Sequence, residues 1–283
     1  MKEIFKGVLT QEKGNTFLMG TGGRSLLASE LIWSGYARHW IGRVVFARHL
    51  PQRDYEREDP IIIMWPHMRE AETPCVDLYF NERLPKYRTS FFGHIAVNVD
   101  GEVFNFSHLL NENEVMTREE YFYRPALGEF APPPETGSLD AGNVDRPYYD
   151  KFGRLFMRTV HVLRIEGLKT GRLSTIYHNM LKTIHSAPSD PRRPGEYKDF
   201  NILTRNCATI IRDGLRRYGF SQIRGILPRE LFVCAAYHFR KLEEEGTLKT
   251  DLIKMKQLKV PEAPYGAEVP ILNPINRIRQ RKL

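Results

Sequence analysis

The sequence predicts an α+β protein in which a small β-barrel precedes a domain built from an antiparallel sheet and a cysteine-bearing helix. Three observations predict it. Residues 1–66 hold four short apolar stretches separated by turn signals. The dipeptide Asp100-Gly101 stands between two alternating apolar segments, the pattern of a tight hairpin. Asn206-Cys207-Ala208-Thr209 heads a run whose apolar residues Ile210, Ile211, Leu215 and Tyr218 recur at helical spacing.

The barrel comes first, at residues 1–66. Residues 5–9 and 16–19 are strands flanking the turn Lys13-Gly14-Asn15. Residues 24–33 fit a short helix, and residues 42–49 and 61–65 are two further strands around a charged loop at 52–60. Four strands with one helical connection suggest a barrel of the OB or SH3 type. Such barrels often bind nucleic acid, and Trp33, Tyr36, Trp40, Arg43 and Arg48 make this segment basic and aromatic. Large aromatics are more often core or an inter-domain face, so nucleic acid is not the expected partner.

The second domain is expected over residues 67–260. A connector leads to a strand at 76–80, and the Asp100-Gly101 hairpin occupies 91–106. Residues 107–150, with Ala131-Pro132-Pro133-Pro134, read as a loop insertion, either a lid or a surface loop. A strand at 158–165 precedes a helix at 168–184 with Leu173, Ile176, Tyr177, Met180 and Ile184 on one face. A proline-rich break at 187–195 follows. The cysteine helix then runs from its cap at Asn206 to a stop at Gly219. Leu227-Pro228 opens the next helix, 229–244, with proline in its first turn. Residues 261–283 form a proline-rich basic tail, expected to be peripheral.

The whole chain narrows the function class. At 283 residues, 41% hydrophobic and 27% charged, it is neither disordered nor fibrous. The net charge of +8 suits an anionic polymer or a membrane surface as partner, and equally a merely soluble protein. Cys75, Cys207 and Cys234 contain no CxxC pair, so neither a disulfide scaffold nor a cysteine zinc site is expected. No apolar signal core follows Met1, and no run is long enough to cross a membrane. The expectation is synthesis in the cytoplasm, with any outside role needing a specialised secretion system. No metal or other cofactor is expected.

Cys207 is the residue with chemistry. In the first turn of a helix, unpaired amides and the helix dipole favour thiolate over thiol. A cysteine nucleophile needs a base, and the base needs an orienting group. A two-residue turn at Asp100-Gly101 pairs Val99 with Glu102, so paired residues sum to 201 and Asn105 faces Ala96. Positions 94, 96 and 98 then share a face with 103 and 105, and His94 and Asn105 project from one side. An amide acceptor there can hold the imidazole in one tautomer. Taken singly, each residue has a structural reading: isolated cysteines are usually buried, and Cys234 is expected to be core. Cys75 has no evident role, and His161 and His178 are expected to be structural or on the surface.

The segment Gly-His-Ile-Ala-Val-Asn-Val-Asp-Gly-Glu-Val-Phe-Asn, residues 93–105, precedes Asn206-Cys207-Ala208-Thr209 by about a hundred residues. With the approach from Tyr197 to Asn206 and the later Leu227-Pro228-Arg229-Glu230-Leu231, it resembles the circularly permuted NlpC-type papain-like cysteine hydrolases. Distant relatives are the lecithin:retinol acyltransferase-like proteins. The resemblance covers roughly residues 75–240. It implies a permuted papain-like domain with Cys207 as nucleophile, His94 as base and Asn105 as orienting group. Backbone amides at Asn206 and Cys207, the helix cap, would hold the oxyanion. His108 or Asn98 could stand in for Asn105, and Tyr197 could assist. The implied activity is hydrolysis of an amide, foremost in a cell-wall peptide, through a thioester. A lipid acyltransferase, thioesterase or lipase would use the same pair, and a non-catalytic binding module is the third reading. The implied partners are a peptide or acyl substrate and, for an exported antibacterial effector, an inhibitor or immunity protein.

Overall fold

The computed structural model describes residues 3–13, 15–29, 34–53, 60–66, 73–85, 91–106, 114–125, 153–187, 189–190, 193–197, 201, 203–258 and 266–283. The chain divides into two compact units: 1–70, 119–157 and 258–264 in one, and 71–118, 158–257 and 265–283 in the other. The first therefore takes in more chain than the N-terminal 66 residues. Both units are mixed α and β with antiparallel sheets.

The first unit carries β1 (Phe5–Glu12), β2 (Asn15–Gly20), β3 (Gly23–Ser29), α1 (Ser34–Trp40), β4 (Val44–Arg53) and β5 (Pro60–Trp65), with α2 (Arg118–Tyr123) and α3 (Arg154–Met157). The strands form one antiparallel sheet in the order β3-β2-β1-β4-β5. The helix expected over residues 24–33 is a correction: residues 23–29 form a strand, and the helix starts at Ser34. Gly20 pairs with Gly23, which adopts φ 110°, so the chain reverses and the ladder of β2 extends into β3. Backbone groups that a helix would pair internally are taken by the neighbouring strand.

Aromatic residues form this unit's core. Tyr36 and Trp40 are buried, and Trp40 meets the rings of Tyr123 and Phe156 edge-on. The Tyr36 hydroxyl accepts from the Met64 amide (2.7 Å) and donates to the Tyr123 carbonyl (2.8 Å). Arg48, also buried, pairs with Glu119 (3.1 Å) and Glu120 (2.7 Å). Three of the residues that made the segment look like a binding face thus hold it together, while Trp33 lies outside the described residues.

The second unit carries β6 (Cys75–Asn81), β7 (His94–Val99), β8 (Glu102–Asn105), β9 (Glu114–Met116), β10 (Val160–Glu166), α4 (Thr170–His185), β11 (Ser189–Asp190), β12 (Arg193–Tyr197), α5 (Cys207–Tyr218), α6 (Pro228–Glu244), β13 (Lys249–Met255) and α7 (Pro274–Gln280). Its six-stranded antiparallel sheet runs β13-β10-β6-β7-β8-β9. Two regions read as irregular hold regular elements: β9 lies inside 107–150, and the hairpin β11–β12 overlaps the proline-rich break at 187–195. The remainder of 107–150, apart from α2 and its flanks, lies outside the described residues.

The two faces of the six-stranded sheet differ. Val76, Leu78, Phe80, Ile95, Val97, Phe104, Leu163 and Ile165 share one core with the inner faces of α4, α5 and α6. At about 25 cal/mol per Å² this apolar burial is the main favourable term for the unit. On the other face the buried Asp77 carboxylate accepts from Arg164 Nε (2.9 Å), Asn98 Nδ2 (3.0 Å) and the Tyr79 hydroxyl (3.0 Å). Asp77 pairs with Asn98 on one side and Arg164 on the other, so this knot pins three central strands in register.

The tail is the second correction. Residues 266–283 are not peripheral: Val269, Ile271 and Asn276 are buried, and α7 packs on α6. The buried Glu230 carboxylate accepts from the amides of Leu272 (2.7 Å) and Asn273 (3.0 Å) and from Asn276 Nδ2. A buried acid on α6 thus organises the turn into α7, a long-range partnership that tail composition does not announce.

Candidate functional site

The hairpin that carries His94 and Asn105 follows from two glycines. Asp100 and Gly101 adopt φ 53° and 95°, the conformation of a tight primed turn, and Asn98 Oδ1 accepts from the Gly101 amide (3.0 Å). Val99 pairs with Glu102, Asn98 with Val103 and Val97 with Phe104, so paired residues sum to 201. Glu102 is tied to α4 by Ser174 (2.8 Å) and His178 (3.2 Å), which fixes the turn end of the hairpin. At its open end Gly93 adopts φ 74°, and a Cβ there would stand 2.4 Å from the Asn81 carbonyl oxygen. Only glycine lets the chain pass β6 that closely and enter β7 with His94 as its first residue.

His94 Nε2 lies 2.7 Å from Asn105 Oδ1. An amide oxygen only accepts, so Nε2 carries the hydrogen and Nδ1 carries the lone pair. His94 is partly exposed and Asn105 is buried. Water therefore competes poorly for the orienting bond, and the imidazole keeps one tautomer and one direction.

Cys207 opens α5. Asn206 is its N-cap in extended conformation, and Asn206 Oδ1 accepts from the amides of Ala208 (2.8 Å) and Thr209 (3.0 Å). Thr209 Oγ1 accepts in return from the Asn206 amide (2.8 Å), which closes a capping box. Asn206 Nδ2 donates to the Ile226 carbonyl (3.1 Å), so the loop before α6 is tied to the cap. Asn206 is legible as a cap in the sequence, whereas its partnership with Ile226, twenty positions on, is a tertiary contact that local pattern does not carry. The signal for Thr209 was present: a hydroxyl residue three positions after an N-cap.

Cys207 is 8% exposed and belongs to the same core as Ile95, the residue after His94. Helix α5 packs on β7. Ile95, Val97 and Val99 are the β7 side chains in that core, whereas Asn98 bonds Asp77 on the opposite face. His94 is the first residue of β7, and strand alternation puts it with Asn98 and Asn105 on the face opposite Ile95, Val97 and Val99. Asn98 is committed to Asp77 and to the turn, which removes it as a stand-in for Asn105. Tyr197 lies on β12 opposite Ser189. His108 lies outside the described residues.

The other thiols are placed differently. Cys75 is buried, and burial with the nearby Asp77 pushes its thiol up to about 11. Cys234 is buried mid-helix, as its apolar neighbours indicated, but its sulfur also accepts from the Arg224 amide (3.2 Å) and from Arg279 (3.3 Å). All three cysteines are free thiols. One cluster of metal-ligating types was not foreseen, because its members are distant in sequence. Glu82, His161 and Glu268 each bring a ligand atom to within 4.8 Å of the others. There Glu82 is hydrogen-bonded to His161 (3.0 Å), and Glu268 pairs with Arg229 (3.0 Å) and Lys254 (3.7 Å), so both acids already have partners.

No protein-family model, curated protein or solved structure matches this chain.

Proposed function

We propose that this chain is a cysteine-dependent hydrolase that cleaves an amide bond through a thioester, with Cys207, His94 and Asn105 as its catalytic residues. The observation that carries the reading is the 2.7 Å bond from His94 Nε2 to Asn105 Oδ1. It leaves Nδ1 as the basic nitrogen, on a strand packed against the helix that Cys207 opens. The order of elements, hairpin first and cysteine helix second, supports a permuted papain-like domain. The five-stranded antiparallel sheet with its short helix supports a small barrel of the OB or SH3 type for the other unit.

The proposed chemistry follows from those positions. His94 Nδ1 takes the Cys207 proton, and the helix N-terminus stabilises the thiolate. The sulfur attacks the substrate carbonyl carbon, and the Cys207 amide in the first turn holds the developing oxyanion. The amides of Ala208 and Thr209 are committed to Asn206 Oδ1, and the Asn206 amide, expected from the sequence to share the oxyanion, is committed to Thr209 Oγ1. The imidazolium gives its proton to the leaving amine as the carbon–nitrogen bond breaks. Water, deprotonated by Nδ1, then cleaves the thioester and restores the thiol. A cell-wall peptide is the foremost substrate, and delivery by a secretion system as an antibacterial effector is the setting that fits it.

One observation favours a second reading, acyl transfer or hydrolysis on a lipid by the same residues. Ile226, whose carbonyl is bonded to the Asn206 cap, has a side chain 45% exposed, and Leu203 before the cap is 63% exposed. Apolar surface beside a nucleophile suits an acyl chain better than a peptide rich in charge. The experiment is to incubate the protein with peptidoglycan fragments or with phospholipid and to weigh the protein rapidly after acid quenching. A Cys207 adduct from one substrate, absent in Cys207→Ser, supports the reading and names the bond. No adduct and no turnover with either, while Cys207→Ser stays folded, overturns it.

A further inference from the structure

The second unit contains a cavity of about 610 Å³ between the 222–227 loop, α6 and α7. That volume falls within the usual range for small-molecule sites. Its walls divide by chemistry. Ile226, Leu227, Leu272 and Ile275 are apolar, and Ile226, Leu272 and Ile275 are each at least 45% exposed. Arg224, Arg279 and His238 line the same cavity.

Among the described residues, the cationic groups of this cavity, Arg224 and Arg279, lack a carboxylate partner. Arg279 Nη1 is held instead by Asn276 Oδ1 (2.9 Å) and Cys234 Sγ (3.3 Å), neutral groups that position the guanidinium without neutralising it. The one acid on the wall, Glu230, is occupied by the Leu272 and Asn273 amides and by Asn276. His238 Nε2 is buried and, among the described residues, has no hydrogen-bond partner. Burial, with Arg279 and Lys241 nearby, lowers the pKa of that imidazole. A buried ring nitrogen without a partner is uncommon in folded proteins, and here it lies on the wall of a cavity.

We propose that this cavity binds an amphipathic anion: an apolar chain lying against Ile226, Leu272 and Ile275, with a carboxylate or phosphate head held by Arg224 and Arg279 and by His238 Nε2. The apolar walls account for the chain, and two guanidinium groups without acidic partners account for the head. The ligand would lie against the segment whose Ile226 carbonyl anchors the Asn206 cap. The site rests on the cavity alone and does not require Cys207 to be catalytic.

Isothermal titration of the full chain tests it, using dodecanoate, 1-lauroyl-lysophosphatidate and dodecanol below their aggregation limits. One or both anions should bind at one site, at least about tenfold more tightly than dodecanol, as charge-assisted bonds require. Dodecanoate as the tighter ligand indicates a free fatty acid, and the lysophosphatidate a lipid headgroup. Arg224→Gln should weaken the anion about tenfold and leave dodecanol unchanged. Ile275→Asp, at an exposed position, should weaken both classes. Because Arg279→Ala removes a support of α7, the Arg224 and Ile275 variants carry the test. In a ¹H–¹⁵N spectrum the bound anion should raise the His238 pKa. Absence of saturable anion binding at ~1 mM overturns the proposal. So does equal affinity for dodecanol, or an anion affinity that Arg224→Gln leaves unchanged.

Discussion

Asn206→Ala is the substitution whose cost the structure defines best. The side chain is 6% exposed and, among the described residues, accepts from the Ala208 and Thr209 amides and donates to the Ile226 carbonyl. Loss of an N-cap costs about 1 kcal/mol. Leaving the Ile226 carbonyl without its donor costs about 1 kcal/mol more, and burial of the two amides pushes the sum upward. The expected loss is roughly 2–3 kcal/mol, a shift of about 1 M in a urea midpoint. Asn206→Asp separates the contributions. Its carboxylate keeps both cap bonds and loses only the donor, so it should cost roughly 1 kcal/mol. Its negative charge beside Cys207 should also raise the thiol pKa and slow alkylation at neutral pH. Urea unfolding followed by circular dichroism reads the first effect, and iodoacetamide labelling of Cys207 the second. An Asn206→Ala midpoint equal to the parent's would refute the capping box as a structural support.

Further outcomes follow from single contacts. Asn105→Ala should lower turnover about 10²-fold with little change in KM, because the imidazole loses its orientation but not its basicity; parent-like turnover would move that role elsewhere. A Cβ on Gly214 would stand 2.2 Å from the Tyr177 ring, whose hydroxyl donates to the Ile211 carbonyl (2.9 Å). Gly214→Ala should therefore destabilise by roughly 2 kcal/mol despite alanine's better helix propensity, and an unchanged urea midpoint would contradict that packing. Glu243 accepts from the Thr250 hydroxyl and amide, which with Arg240 hold its carboxyl down at about 2. A depressed folded-state pKa contributes stability above the unfolded value, ~4.3, and loses it as pH falls toward 2. Thr250→Val should raise the Glu243 pKa seen by carboxyl NMR and make stability less sensitive to pH in that window.

Much of the candidate site was legible because its signals are local. Asp100-Gly101 dictates a turn type, the turn type dictates register, and register puts Asn105 beside His94 without knowledge of the rest of the fold. Asn206 and Pro228 mark helix starts by the same short-range logic. What the chain did not disclose depends on distant partners. Residues 23–29 chose strand over helix because β2 offered a ladder, a competition that periodicity alone does not resolve. The tail docks because Glu230, more than forty positions away in sequence, needs donors for a buried carboxylate. Gly93 looks like any turn glycine until β6 passes beside it. The cluster of Glu82, His161 and Glu268, and the cavity under α7, likewise join residues from separate parts of the chain.

The central claim is that His94 serves Cys207, and the pH dependence of Cys207 alkylation tests it most directly. Iodoacetamide labelling from pH 4 to 10, with the modified peptide identified by mass, reports the Cys207 thiolate apart from Cys75 and Cys234. Paired with His94 at a helix N-terminus, Cys207 should titrate well below ~8.5, the value of a free thiol. His94→Ala should raise it by at least about one unit. A Cys207 that titrates at or above ~8.5, and does not respond to His94→Ala, would contradict the account.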